Sequence, residues 1–273
     1  MNDRKFDLIC MGRAAVDLYA LEIGQALEDV SSFAKYVGGC PANIAIGSSR
    51  LGLKTAMLTR VGDEAMGRFV RNTLDREGVD VQYVKTDRER LTGLVILGIE
   101  PPNRFPLIFY RENCADMAMR KSDISESFIA SAKALLVTGT HCSTSEAFQV
   151  TKYAVDTAVK VGTRVILDID YRPVLWGMTG HGEGENRYVP SGLIAERLQE
   201  IIPYCELVVG TEEELMAAAH QSTTEDAVHH LKKVFGGMIV VKRGDKGCMV
   251  YEPGKSVPLI GSHYPVEVLN VLG

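Results

Sequence analysis

Val37-Gly38-Gly39-Cys40-Pro41-Ala42-Asn43 is the stretch on which the reading of the fold turns. Paired glycines let a backbone turn, or approach a ligand, where a Cβ would clash. Pro41 cannot continue a strand, but it fits the first turn of a helix, where its missing N–H is no loss. From Ala42 through Ile44, Ala45 and Ile46 to Leu51 the residues predict a helix, with Gly52 as its stop. A strand or loop that ends in Gly-Gly and passes at once into a helix aims backbone N–H groups at one spot. The Asn43 amide, in the first turn, points with them, which suits a small polar ligand. A Gly-Gly standing alone would be only a tight turn before a packed helix.

The flanking sequence alternates strand and helix. Phe6 to Met11 and Lys54 to Val61 read as strands, and Met66, Phe69, Val70 and Leu74 recur at helical spacing until Gly78. Ala134 to Thr138, Val165 to Ile169, Leu207 to Val209 and Met238 to Lys242 are further short strands with helical stretches between them. Ser143 with Glu146 reads as a capping box, with Gly162 as that helix's stop. Such alternation predicts a mostly parallel sheet with helices on both faces. Two segments break the rhythm. Leu18 to Ala20 with Ser32 to Val37, and Thr92 to Ile99 with Phe105 to Tyr110, read as β segments of a small lid near residues 13–37 and 91–111, the second a hairpin. Gly177 to Pro190, glycine-rich and acidic, reads as a mobile surface loop.

The 273 residues are 46% apolar and 24% charged, with a formal net charge of −5, which argues against nucleic acid or an anionic membrane as the main partner. No apolar run approaches a membrane span, and the N-terminal residues do not form a signal peptide. Six cysteines lie far apart with no CxxC pair, as expected of buried thiols in a reducing cytoplasm rather than of disulfides or a zinc site. A GxGxxG fingerprint after the first strand, a P-loop, HExxH and GxSxG are all absent.

What remains are polar residues at the carboxyl ends of strands, where open α/β sheets bind ligands. Asp17 follows the first strand and can accept hydrogen bonds from sugar hydroxyls, or form a turn. Asp63 can cap the next helix. Arg111 closes the second lid strand and can clamp an anionic group. Asp170 and Arg172 follow the Val165 strand and can serve a ligand or pair with each other. Thr211 and Glu214 form a capping box whatever else they do. Lys242-Arg243-Gly244-Asp245-Lys246-Gly247 lies between two strands as a hairpin turn.

In order and over the whole chain, Asp17, Gly38-Gly39…Asn43, Val61-Gly62-Asp63, Asp168…Arg172, Thr211…Glu214 and Gly244…Gly247 resemble the ribokinase-like carbohydrate kinases of the PfkB family. The Gly-Gly-x-x-x-Asn stretch with its Val-Gly-Asp is the more specific part. Phe109-Tyr110-Arg111-Glu112-Asn113-Cys114-Ala115-Asp116 and Leu167-Asp168-Ile169-Asp170-Tyr171-Arg172-Pro173-Val174-Leu175-Trp176 look like the sugar-acid branch. The resemblance implies one ribokinase-like α/β domain over residues 1–273, three-layered α/β/α, with a mostly parallel central sheet and a small β lid. It implies a cytoplasmic enzyme that uses ATP and Mg²⁺ to phosphorylate a hydroxyl of 5-dehydro-2-deoxygluconate, with 2-keto-3-deoxygluconate as the near alternative. Nucleoside or fructose phosphorylation belongs to the same fold, but two arginines favour an anionic substrate. Asp17, Gly39 and Asn43 would hold sugar hydroxyls. Arg111 and Arg172 would face the substrate or the transferred phosphate, Arg172 in a catalytic role. Glu214 and Thr211 stand where the family places Asn-x-x-Glu, which organises Mg²⁺, and Thr for Asn is a departure. Lys242, Gly244, Gly247 and Gly273 would border the nucleotide. The lid is the candidate surface for a homodimer.

A larger departure lies at Asn270-Val271-Leu272-Gly273, where the family reads Asp-Thr-x-Gly-Ala-Gly-Asp. The general base and anion hole of the family would follow Gly273, so the resemblance implies that the sequence as written is truncated and does not turn over. A fragment that binds a sugar acid without catalysis is the reading of another class. Phosphoryl transfer itself asks mainly for positioning and for charge neutralisation, and the arginines, a candidate Mg²⁺ site and a lid supply these.

Overall fold

Near-continuous apolar runs fix the centre of the molecule, because strands buried on both faces cannot alternate apolar with polar. In the computed structural model, which describes residues 4–265 apart from 102, 103, 185 and 187, these runs form one nine-stranded sheet. Its first strands are β1 (Phe6–Met11), the lid strands β2 (Ala15–Ala20) and β3 (Phe33–Gly38) standing apart from it. Helix α1 (Cys40–Arg50) leads to β4 (Thr55–Gly62), and α2 (Ala65–Arg76) to β5 (Val84–Asp87). After the lid strands β6 (Gly93–Leu97) and β7 (Leu107–Tyr110), a short α3 (Glu126–Ala130) enters β8 (Ala132–Thr138). Then come α4 (Ser145–Lys160), β9 (Arg164–Asp168), α5 (Gly192–Gln199) and β10 (Leu207–Thr211). Helices α6 (Glu212–Ala219) and α7 (Thr224–Val234) precede β11 (Met238–Lys242), β12 (Cys248–Tyr251) and β13 (Leu259–Gly261).

The sheet order is β13-β12-β11-β10-β9-β8-β1-β4-β5, parallel from β11 to β5, with β12 and β13 antiparallel at one edge. Successive residues of β1 feed opposite cores. Ile9 and Met11 join the larger core with α4 to α7, while Leu8 and Cys10 join a second core with α1 and α2. These are the three layers expected. Because the strands are parallel, the segments after β1, β8, β9, β10 and β11 all emerge along one edge.

Over that edge lies the second sheet, ordered β3-β2-β6-β7. The hairpin of β6 and β7 pairs Val95 with Phe109. Strand β2 runs parallel to β6, Val16 beside Leu94, and antiparallel to β3. Asp17 therefore lies inside a strand, not in a loop. Tyr19, Val95, Leu97, Leu107 and Phe109 cluster on one lid face, the face that also carries Asp17.

Two helix starts differ from expectation. Glu64, not Asp63, caps α2, its carboxylate accepting from the N–H groups of Met66 and Gly67, and Asp63 is exposed. Thr144, not Ser143, caps α4 through the N–H of Ala147. In the described part of the stretch after Gly177, Val189 O accepts from Tyr171 Oη at 2.8 Å, and Met178 and Tyr188 pack against the larger core. All six cysteines are free thiols, with Cys40 and Cys248 only half-buried. Asn270 and Gly273 lie outside the described residues.

Candidate active site

The turn between β3 and α1 explains both of its glycines. A Cβ on Gly38 would overlap the Asp17 carboxylate on the neighbouring strand. Gly39 has φ +98°, and a Cβ there would stand 2.6 Å from the carbonyl oxygen of Arg13. The pair lets Asp17 lie flat against the turn while α1 begins beside the loop after β1. Asn43 N donates to Gly39 O at 2.9 Å, which fixes the first turn, and the Asn43 side chain is exposed.

Beneath the lid, two arginines are buried close to Asp17. Arg13 leaves the end of β1, with its guanidinium 5.9 Å from the Phe109 ring. Arg111 directly follows β7 and pairs through Nη2 with Asp116, which also accepts the N–H of Ala14 at 3.2 Å and the thiol of Cys114 at 2.9 Å. Asp116 thus anchors the lid to the loop after β1. Burial alone would push Asp116 up, but the Arg111 charge and the hydrogen bonds overrule it and hold it below the usual carboxylate range. Asp17 goes the other way: burial raises it, only partly offset by Arg13 and Arg111. Its Oδ1 has no hydrogen-bond partner, nor do Arg13 Nε and Nη1, Arg111 Nη1 or either ring nitrogen of His141. His141 follows β8, and burial, assisted by the charges of Arg111 and Arg13 against that of Asp116, pushes it down to about 4. It is a neutral imidazole at physiological pH.

A second group gathers where β9, β10 and β11 end. Asp168 Oδ1 accepts from Lys242 Nζ at 3.3 Å, and its Oδ2 lies 3.4 Å from the thiol of Cys40, the first residue of α1. Glu214 and Thr211 make the reciprocal capping box: Thr211 Oγ1 accepts from Glu214 N at 3.2 Å, and Glu214 Oε2 from Thr211 N at 2.8 Å. Glu214 Oε1 also accepts the N–H of Tyr171 at 3.2 Å, and Lys242 Nζ is 3.9 Å from Oε2. Burial raises both Asp168 and Glu214, with Lys242 opposing and Asp170 adding to the rise. For Lys242 burial acts downward, but Asp168 and Glu214 overrule it and raise it. Asp170, in the left-handed region at φ 34°, accepts from Thr140 Oγ1 at 2.9 Å, and Arg172 Nε lies 3.8 Å from its Oδ1.

Of the residues singled out from sequence, Asp17, Gly39 and Arg111 meet under the lid, and Glu214, Thr211, Lys242 and Arg172 meet at the strand ends. Lys242 groups with the carboxylates rather than with the glycine turn that follows it. Gly244 and Gly247, both at positive φ, form that β11–β12 turn. Arg13, Asp116, His141 and Cys40 were not singled out. Their signal is a lone charged or polar residue inside an apolar run, as in Cys10-Met11-Gly12-Arg13-Ala14-Ala15-Val16. A cavity of about 920 Å³ lies along the other lid face by Leu18, Leu94 and Ile108, and reaches the charged cluster at Phe109, Arg111 and Cys114. The polar groups converge beneath the lid and at the strand ends, while this hollow is lined largely by the lid's other face.

A model of the pfkB family of carbohydrate kinases matches residues 5–273. The 5-dehydro-2-deoxygluconokinase of Geobacillus kaustophilus is 35% identical over 278 residues, which cover 100% of this chain and 79% of that relative. A PfkB protein of Polaromonas superposes with a TM-score of 0.81 at 25% identity, covering 96% of this chain and 83% of the other. A candidate ribokinase II of E. coli, solved in complex with ATP and Mg²⁺, gives 0.83 at 19% identity, covering 96% and 80%.

Proposed function

This chain belongs to the pfkB family of carbohydrate kinases, and from that premise we propose that it phosphorylates a hydroxyl of 5-dehydro-2-deoxygluconate with ATP. It is a phosphotransferase with an alcohol acceptor. The observation that carries the acidic substrate is Arg111, buried under the lid with Nη1 unpartnered while Asp116 holds Nη2. A carboxylate compensates such a desolvated donor, and a neutral sugar does so less well. Asp17, its Oδ1 unpartnered beside the glycine turn, accepts from a sugar hydroxyl, and the Gly39 backbone and Asn43 amide complete the hydroxyl contacts. Arg172, at the β9 end, lends positive charge to the transferred group.

The strand-end carboxylates fit a hard divalent cation. Mg²⁺ takes oxygen ligands and commonly binds through one or two carboxylates plus phosphate oxygens. Glu214 and Asp168 would hold it, directly or through water. Bound with ATP it supplies neutralisation of the charge that spreads over the transferred group. Thr211 keeps the Glu214 helix end in place, and Lys242 balances the carboxylates from the β11 side. Gly244 and Gly247 allow the turn that borders the nucleotide. The lid, closing from above, excludes water.

A coupled ADP-release assay across 5-dehydro-2-deoxygluconate, 2-keto-3-deoxygluconate and fructose tests this reading. The expected order of kcat/KM follows that order of substrates, and equal or better use of fructose overturns it. The outer lid face, with Leu91 71% exposed and Tyr110 57% exposed beside the 920 Å³ hollow, supports a homodimer in which a second copy covers it.

A further inference from the structure

We propose that Arg13 selects the anionic sugar: its guanidinium, together with Nη1 of Arg111, takes the substrate's carboxylate, a role that rests on the sugar-acid reading above. Arg13 is 6% exposed, and neither Nε nor Nη1 has a hydrogen-bond partner. No ion pair among the described residues includes it. The two arginines differ in this respect. Arg111 is matched by Asp116, and that pair holds the lid to the loop after β1. Arg13 has no such match, so its burial brings the fold no ionic partner. Burial and the neighbouring Arg111 both weaken its hold on its own proton, while Asp170 and Asp17 oppose them.

The surroundings fit a bound carboxylate rather than an internal salt bridge. Asp17, a lid carboxylate whose charge acts on Arg13 and Arg111, has its Oδ1 unpartnered, so both signs of charge stand ready for an external group. A sugar acid offers both kinds of partner, a carboxylate for the arginines and hydroxyls for Asp17. His141, neutral and buried against the same charges, adds a hydrogen-bonding group without adding charge. The Arg13 guanidinium sits over the Phe109 ring, 5.9 Å from its centroid, an apolar neighbour that offers it no anion. Gly39, which must lack a side chain because Arg13's own carbonyl is there, ties this contact to the hydroxyl-binding turn.

The test compares wild type with Arg13→Ala, Arg13→Met and Arg13→Lys, using 5-dehydro-2-deoxygluconate and fructose as probes, by steady-state kinetics and by ligand-induced shifts in melting temperature. Arg13→Ala should raise KM for the acid about ten- to hundredfold, the loss of charge-assisted hydrogen bonds, with a much smaller change in kcat. KM for fructose should hardly move. Arg13→Lys should retain part of the effect, since it keeps charge but not the planar donors. Arg13→Met should leave the unliganded melting temperature unchanged or raise it, and abolish the shift caused by the acid. A purely structural arginine gives the opposite: a lower unliganded melting temperature with the ligand shift intact, and equal KM losses for both sugars. Either of those results overturns the proposal while leaving the kinase reading in place. If wild type neither binds nor uses the acid but uses fructose, the substrate reading falls, and this proposal falls with it.

Discussion

Asp116 and Arg111 are both enclosed, with side chains 0% and 4% exposed, and this makes their pair the most consequential ionic contact near the site. Removing one member of a buried pair strands the other, so Asp116→Ala should destabilise the protein by about 3–5 kcal/mol in chemical denaturation. Charge in the cluster also sets a pH response. His141 is held down to about 4 when folded, against an ordinary value near 6.5, so the unfolded chain takes up a proton that the folded chain refuses. The stability this represents is complete above pH about 6.5 and drains away as pH falls toward 4, by up to about 3 kcal/mol. Asp168 and Glu214, raised by burial, act in the opposite sense over acidic pH, so the comparison that isolates His141 is with His141→Gln. Wild type should lose more stability than that variant between pH 6.5 and 4.5, and parallel profiles would exclude the role. Single residues divide by how much depth they carry in the sequence. Gly38-Gly39 was legible because turn chemistry is local, whereas Asp17, expected in a loop, is held by the pairing of β2 with β3 and β6. Arg13, Asp116 and His141 were not legible, because a polar residue in an apolar run reveals nothing of which partners the fold brings to it.

At the level of elements, four-residue cap chemistry placed the helix starts to within one residue. The Thr211–Glu214 box was predicted and is present in both directions. The α2 and α4 starts each slid by one residue, because Asp63 and Glu64, or Ser143 and Thr144, offer nearly the same acceptor. Only backbone dihedrals choose between them: Glu64 and Thr144 are extended, as a capping residue must be. The box at α6 also separates two roles. Thr211→Ala should lower stability by about 1 kcal/mol, the usual loss of a cap, and leave the Mg²⁺ requirement alone. Glu214→Gln should lower the rate and raise the Mg²⁺ concentration needed for half-maximal activity, since a charge beside the ion is gone. A Mg²⁺ titration of both variants decides this; unchanged Mg²⁺ dependence for Glu214→Gln returns that residue to capping alone.

For the molecule as a whole, the α/β/α layering was readable from strand and helix rhythm, and the lid only from segments that broke it. What the sequence could not disclose is that β2 pairs in parallel with β6, since nothing local in Ala15–Ala20 points to residues beyond α2 and β5. The lid's outer face gives a prediction at this scale. On the proposed homodimer, wild type should sediment as a dimer and the chain with both Leu91 and Tyr110 replaced by Glu as a monomer, while a monomeric wild type or a dimer that persists in the variant overturns this interface. The β2–β6 pairing also bears on how the protein assembles. Its loop closure encloses α1, β4, α2 and β5, so the lid can dock only after that part of the central sheet has formed. The lid has a small apolar cluster of its own, and Val16, Leu18, Val37 and Leu94 join the α1–α2 core, so it should open and reclose while the nine-stranded sheet stays intact. Its amides should exchange with solvent deuterium together, well ahead of those in β1 and β8, which would make the last part of the protein to assemble the first to open.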